Sequence, residues 1–581
     1  MGNKMTGAEI FVKALEEEGV DTLFGYPGGA LIPIYDEIFD ANFKHVLPHH
    51  EQGGIHAADG YARSTGKVGV TIATSGPGAT NLVTGLATAY MDSVPLVAFT
   101  GQVPSHMLGT DAFQEADITG ISMPITKHNY LVKDVKNLAR IIKEAFHIAS
   151  TGRPGPVLVD IPKDVMVSKA DFDYSRPVDL RGYKPNYKGH PMQIKGAAER
   201  INRAKKPVLY AGGGVNISGA AGYLRELAEK AKIPVTTTLT GLGSFDEKNE
   251  LSLGMPGMHG STEANLALSN TDLIIAVGCR FDDRVTGKLD KFAQDADIIH
   301  IDIDPAEVGK RVAIDIPIVG DVKTILKELN PQIEEKTING WGDQIKKWKK
   351  ADENNNQSVG VNGALSPRPV IEALSELTDG QAILATEVGQ HQMWAAQFYQ
   401  FSRPGQFLSS GGLGTMGYGL PAAIGAQVGN PAESVFLLSG DGSIQMNIQE
   451  LATIKKNKLP VKMIILNNKY LGMVRQWQDL FQDKRYAATC MSRQVDCPPK
   501  CKGPNENCPE LVPDFIKLAE SYGINGERLT EESEIKPAIK RAIAENGPYL
   551  IDCIIEREEN VFPMVPPGGS LYEMILEEES E

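Results

Sequence analysis

The stretch Ser439 to Asn468, SGDGSIQMNIQELATIKKNKLPVKMIILNN, decides the fold. It continues the apolar run Val435-Phe436-Leu437-Leu438, which reads as a buried strand ending at Ser439. Gly440-Asp441-Gly442 then reads as a tight turn whose glycines admit a close backbone approach, with Ser443 behind it. Ile448, Leu451, Ala452 and Ile454 form the apolar face of a helix, and Lys462 to Leu466 form a second strand that runs into Asn467-Asn468. Strand, helix and strand make a βαβ unit with polar residues at its strand ends, where open parallel sheets bind ligands.

Asp441 and an Asn amide oxygen are hard donors of the kind Mg²⁺ takes, with phosphate oxygens and water completing the octahedron. Read alone, the same residues are ordinary turn formers. Working outward, the βα pattern recurs along the chain. Thr22 to Gly25 reads as a strand entering the Gly-rich turn Tyr26-Pro27-Gly28-Gly29-Ala30. Val68 to Ala73 leads into Thr74 to Asn81, a helix start whose free N–H groups can hold a ligand. Pro207 to Ala211 runs into Gly212-Gly213-Gly214, and Ile298 to Asp304 is a strand with an acidic end suited to a ribose hydroxyl. The expected fold is α/β, with three consecutive doubly wound parallel-sheet domains over 1–185, 190–345 and 365–560 and a tail over 561–581. Polar linkers, Arg181 to Pro191 and Asp352 to Gly363, separate them.

A net charge of −15 argues against nucleic acid or an anionic membrane as partner. No apolar run approaches the ~18 residues of a membrane span, and no secretory pattern is visible, so a cytoplasmic protein is expected. The start, MGNKMT, matches a loose myristoylation pattern, but Thr6-Gly7-Ala8-Glu9 is equally a capping box for a helix over Ala8 to Glu18.

GDG followed by NN, with 468 − 441 = 27 residues from Asp441 to Asn468, resembles the thiamine diphosphate (ThDP) motif of the ThDP-dependent enzymes. HHEQGGIHAADGYAR from His49, GRPGPVLVDIPKDV from Gly152, GMHGS from Gly257, GCRFDDRVTG from Gly278 and ATEVGQHQMW from Ala385 resemble the acetohydroxyacid synthase branch. The resemblance covers nearly the whole chain. It implies that Asp441, Asn468 and the Tyr470 carbonyl hold Mg²⁺, and that Glu51 hydrogen-bonds the pyrimidine ring of ThDP. It places Gly29, Pro77, Asn81, Gln390, His391, Met416, Gly440, Gly442, Ser443 and Met473 at ThDP, with Met416 propping the cofactor. FAD contacts are implied for Arg153, His259, Gly260, Ser261, Gly278, Arg280, Asp302 and Asp321. Gln114, Lys163, Arg284 and Trp477 join Glu51 as the implied catalytic set, Arg284 as clamp for a 2-keto acid carboxylate. Without the resemblance these would read as a solvated Lys and Arg and a packing Trp.

The implied reaction decarboxylates pyruvate and condenses the hydroxyethyl unit with a second pyruvate, giving 2-acetolactate, or with 2-ketobutyrate, giving 2-aceto-2-hydroxybutyrate. This is the first common step of branched-chain amino-acid biosynthesis. The family places Glu51 and Asp441 on different subunits, which implies a homodimer or homotetramer with the site at the interface and leaves a regulatory small subunit open. Flavin-free catabolic acetolactate synthase, pyruvate oxidase and a non-catalytic scaffold are the rival readings. One segment departs from the family pattern, an insertion over 487–512 with Cys490, Cys497, Cys501 and Cys508. Clustered cysteines there are consistent with a Zn or Fe–S site, with disulfides, or with thiols. Cys279 and Cys553 sit in apolar strands and read as core.

Overall fold

The computed structural model describes residues 4–337, 340–355, 364–498, 501, 508–510 and 512–577. The ends of the chain, the close of the second linker and part of the Cys-rich insertion therefore lie outside the described residues. The apolar runs form strands buried on both faces, which is why they lack a polar–apolar alternation.

Three parallel sheets result, each flanked by helices. The C-terminal sheet runs Phe407–Leu408, Ile383–Thr386, Val435–Gly440, Lys462–Asn467, Tyr549–Ile554, Asn525–Leu529 in spatial order. The N-terminal sheet runs Lys44–Val46, Thr22–Gly25, Gly69–Ala73, Leu96–Gln102, Pro156–Pro162, His128–Leu131. Numbered within each domain, both orders are 2-1-3-4-6-5, so the outer domains repeat one topology. The middle sheet has five strands in the order Val235–Thr237, Pro207–Ala211, Leu273–Val277, Asp297–Asp302, Ile316–Val319.

The outer domains share one hydrophobic core, in which Phe24, Leu86 and Leu158 join Leu437, Ile454 and Ile465. Their contact is a crossing of helices Glu51–Thr65 and Gly419–Gly429 at backbone distance. A Cβ at Gly60 would lie 2.6 Å from Ala422 Cα, and one at Gly425 would lie 2.7 Å from the Ala57 carbonyl carbon. Only glycine permits that approach.

Several local expectations shift by a few residues. The Thr6 capping box is present, with Glu9 N–H donating to Thr6 Oγ1 at 3.1 Å, and its helix runs Gly7–Glu17. The helix expected from Ile55 begins four residues earlier, so Glu51 stands in its first turn. Gly440-Asp441-Gly442 is no free turn: the strand runs through Gly440 and a short helix, Asp441–Ile444, starts at once. The tail docks on the middle domain, where Val565 N–H donates to Met258 O at 2.8 Å and Lys288 N–H to Gly569 O at 3.0 Å. No helix among the described residues is long and apolar enough to cross a membrane.

Candidate active site

Asp441 directly follows the third strand of the C-terminal domain, opening the helix Asp441–Ile444, and is 1% exposed. Its Oδ2 has no hydrogen-bond partner among the described residues, and burial pushes its carboxyl up to about 8. A buried acid with an idle oxygen is stabilised by a cation, which would draw that pKa down again. Asn468 directly follows the fourth strand, Lys462–Asn467, and is also buried. Its Nδ2 donates to Gln390 Oε1 at 3.3 Å, and its Oδ1 accepts from Tyr470 N at 3.0 Å. Asn and Asp oxygens at neighbouring strand ends suit Mg²⁺ in chemistry. Among the described residues no group of three or more His, Cys, Asp and Glu is placed to hold a metal, so any such ion here must draw on amide and carbonyl oxygens.

Glycines keep this floor open. A Cβ on Gly440 would sit 2.9 Å from His391 Nδ1, and one on Gly442 2.8 Å from Leu471 Cδ2. His391 is buried, its Nε2 has no partner among the described residues, and burial lowers its pKa to about 3. It is therefore a neutral imidazole, and in the tautomer protonated at Nε2 it can donate to an anionic oxygen. Ser443 Oγ donates to Val388 O at 2.9 Å. The residues fit a diphosphate held on backbone amides and a hard cation.

A second group gathers at the C-terminal strand ends of the N-terminal domain, where Glu51 follows the second strand and Asn81 the third. Asn81 Nδ2 donates to Glu51 Oε2 at 2.9 Å, and a Cβ on Gly78 would lie 3.2 Å from Glu51 Oε1. Gln114, in the left-handed region at φ 58°, packs its backbone on Gly76, next to Pro77. Lys163 Nζ donates to Gly29 O at 3.3 Å. Glu51, Asn81 and Lys163 do not line the cavity that holds Met416 and Trp477. A large apolar side chain, Phe113, stands 88% exposed beside Gln114 at this end.

That cavity, about 680 Å³, opens where the C-terminal strand ends of the middle domain face the third domain. Every strand of the middle sheet contributes at its C-terminal end, through Gly213 and Gly214, Thr238 and Thr240, Gly278 and Arg280, Asp302, and Asp321. Gly214 and Gly278 form a cradle, since a Cβ on either would be 2.8 Å from the other's Cα. The cradle fits the close backbone approach that a dinucleotide's diphosphate needs. Burial pushes Asp302 up to about 6, while Asp321 accepts from Thr324 N at 2.9 Å as a helix cap. His259 lines the cavity, buried and held neutral with its pKa lowered to about 4.

Not every expected contact faces this space. Arg153 lines it, yet its guanidinium is engaged by Glu307 at 2.8 Å and Asp304 at 3.1 Å. Gly260 and Ser261 do not line it. Ser261 Oγ donates to Leu253 O at 2.6 Å and caps the helix Thr262–Asn270, and Gly260 N–H donates to Gly257 O. At the cavity's mouth the Arg284 guanidinium lies 5.8 Å from the Trp477 ring, a cation–π contact, with Met416 and Met473 on the same wall. Arg284 is exposed and free to meet a carboxylate.

The Gly turn at Gly213 and Gly214, legible in sequence though it lacks a full GxGxxG, lines the cavity; Thr238 and Thr240, after the next strand, carry no sequence signal. Glu387 escaped the sequence reading; it is a wholly buried acid between two strand-end turns, pushed up to about 7 by burial. In the insertion, part of which lies outside the described residues, Cys490 and Cys497 form no disulfide, and among the described residues no group of three or more His, Cys, Asp and Glu is placed to hold a metal.

The family model of the thiamine pyrophosphate enzyme N-terminal TPP binding domain matches residues 5–121. The central-domain model matches 194–329, and the C-terminal TPP binding domain model matches 387–553. A Mycobacterium tuberculosis acetolactate synthase large subunit is 50% identical over 98% of this chain and 91% of its own. A probable acetolactate synthase large subunit of Methanocaldococcus jannaschii is 49% identical over 98% of this chain and 95% of its own. The chloroplastic acetolactate synthase 1 of Nicotiana tabacum is 48% identical over 98% and 85%.

Proposed function

The chain belongs to the thiamine pyrophosphate enzymes, among the acetolactate synthase large subunits, and we propose how its residues divide that reaction. It is a ThDP-dependent enzyme that condenses two 2-keto acids with loss of CO₂. Two pyruvates give 2-acetolactate, and pyruvate with 2-ketobutyrate gives 2-aceto-2-hydroxybutyrate. The single observation that carries the division of labour is Asp441, a buried acid at a strand end with an idle oxygen.

ThDP, when bound, supplies the electron sink that decarboxylation of a 2-keto acid requires. Asp441, the Asn468 amide and the Tyr470 carbonyl would hold Mg²⁺, which would neutralise the charge of a diphosphate above the floor made by Gly440 and Gly442. His391 and Gln390 flank it. Glu51 holds a proton at the pyrimidine end, and the Asn81 donor at 2.9 Å fixes which carboxylate oxygen faces the ring. Met416 gives the cofactor an apolar surface and keeps water off the reacting carbon. Arg284 clamps the carboxylate of the 2-keto acid acceptor while the Trp477 ring beside it shapes the pocket.

The cavity of the middle domain, with its cradle of Gly214 and Gly278, would hold FAD. The condensation moves no net electrons, so the flavin acts as structure. Glu51 and the Asp441 group serve one cofactor across two subunits, each chain offering its N-terminal strand ends to the partner. The exposed Phe113, next to Gln114, supports that arrangement. The protein works in the cytoplasm. Glu51→Gln tests the assignment: turnover should fall about 10²-fold or more while ThDP and Mg²⁺ still bind. Acetolactate formation near the wild-type rate in that variant would remove Glu51 from the mechanism.

A further inference from the structure

Met416 stands on a tight turn, and one buried side chain that no role above accounts for grips that turn. Gly417, at φ 86°, donates its N–H to Glu387 Oε2 at 2.6 Å. Leu420 N–H donates to Glu387 Oε1 at 3.0 Å. Both oxygens of the carboxylate are thus spent on amides flanking the turn, and they complete the start of helix Gly419–Gly429, whose N-cap Tyr418 offers no side-chain bond. From the opposite side Asn447 Nδ2 donates to Gly417 O at 2.6 Å. A Cβ on Gly417 would lie 2.9 Å from Met446 Cβ, so the turn has no slack.

The residue after Glu387 faces the other half of the site. Val388 O accepts from Ser443 Oγ at 2.9 Å, in the helix that begins with Asp441. Glu387 and Val388 are therefore adjacent residues gripping two different turns, one carrying Met416 and one carrying the diphosphate floor. A Cβ on Gly442 would stand 4.0 Å from Met416 Cε, so the two turns are at packing distance. A carboxylate suits the task because it accepts two amide donors at once, where a carboxamide offers a single acceptor oxygen.

We propose that Glu387 is a positioning residue that, with Val388, sets the separation between Met416 and the Asp441–Ser443 turn and so holds the cofactor in its reactive shape. The proposal rests on the role given to Met416 above. Glu387→Gln leaves one amide without its acceptor and should loosen the turn without removing any group that touches substrate.

The test is a double-mutant cycle on the full-length enzyme with Glu387→Gln and Met416→Ala. It is read in kcat and KM for pyruvate, in the ThDP dissociation constant of cofactor-free protein, and in thermal unfolding. Glu387→Gln should lower kcat about tenfold with KM within about twofold, and raise the ThDP dissociation constant several-fold. In the double variant kcat should be close to that of Met416→Ala alone, because the grip has nothing left to place. Asn447→Ala, which releases the same turn from the other side, should behave like Glu387→Gln and serves if the latter fails to fold. Asn330→Ala, which empties a buried hydrogen-bond site in the middle domain, should lower the melting temperature without coupling to Met416. Multiplicative losses in the double variant, or an unchanged kcat and ThDP affinity in Glu387→Gln and Asn447→Ala, would overturn the role of Glu387 while leaving that of Met416. A Met416→Ala enzyme with wild-type kcat would overturn both.

Discussion

Gly425→Ala tests the contact that sets the two outer domains against each other. The new Cβ would sit 2.7 Å from the Ala57 carbonyl carbon and 2.8 Å from Tyr61 N, both backbone atoms of the helix that begins at Glu51. Ordinary contact begins near 3.4 Å, so the helices must part by about 0.7 Å at least. No side chain can rotate away to absorb this, which puts the cost at the upper end of, or above, the roughly 1–3 kcal/mol typical of core overpacking. The displaced element carries Glu51 at its first turn, and a shift of about 1 Å at a positioned group can lower turnover about 10²-fold. Differential scanning calorimetry and steady-state acetolactate formation read the two effects. Gly222→Ala is the control, since its Cβ meets nothing within 4 Å on helix Ala221–Ala231 and should be neutral or stabilising by up to about 1 kcal/mol. A Gly425→Ala enzyme with the wild-type melting temperature and turnover would refute the claim that this crossing is rigid and positions the site.

Glu247 is a half-buried acid of the middle domain whose desolvation pushes its carboxyl up to about 8. The folded chain keeps its proton to about pH 8 while the unfolded chain releases it near 4.5, so stability falls as pH rises across that window. Denaturant midpoints should therefore decline less steeply between pH 5 and 8 in Glu247→Gln, and parallel slopes would reject the assignment. Mixing inactive Glu51→Gln with inactive Asp441→Asn should restore about a quarter of wild-type activity if one site draws on two subunits, because half the dimers are mixed and half their sites intact; no recovery after subunit exchange would place both residues on one chain. Truncation after Asn560 removes the buried Val565 and Leu571 from the middle domain's core, and from Gln476 of the third domain both its backbone partners at Val561 and the buried Met564. Thermal stability should drop by several kcal/mol, at up to about 1.5–3 kcal/mol per buried side chain, and KM for pyruvate should rise.

The sequence carries the ends of the site better than its middle. Asp441 and Asn468 are legible because the motif is local: strand, helix and strand within a single unit. Glu51 is legible as a helix-start acid, though the helix begins at it rather than after it. The repeated 2-1-3-4-6-5 order is not legible, because apolar runs reveal strands but not their neighbours. Glu387 hides for a related reason. Its partners Gly417 and Leu420 lie some thirty residues away, and nothing in the spelling of either segment marks a carboxylate shared between backbone amides. Gly260 and Ser261 show the converse. Only the family resemblance places them at the flavin, and in the fold Ser261 uses its hydroxyl to cap Thr262–Asn270.

The central claim is that this chain joins two 2-keto acids on ThDP without net oxidation. The direct measurement supplies the protein with ThDP, Mg²⁺, FAD and pyruvate, and follows CO₂, product and flavin absorbance together. The account predicts one CO₂ and one 2-acetolactate for every two pyruvates, with the flavin spectrum unchanged through turnover. One CO₂ per pyruvate with acetate or acetaldehyde as product, or bleaching of the flavin by pyruvate, would contradict it.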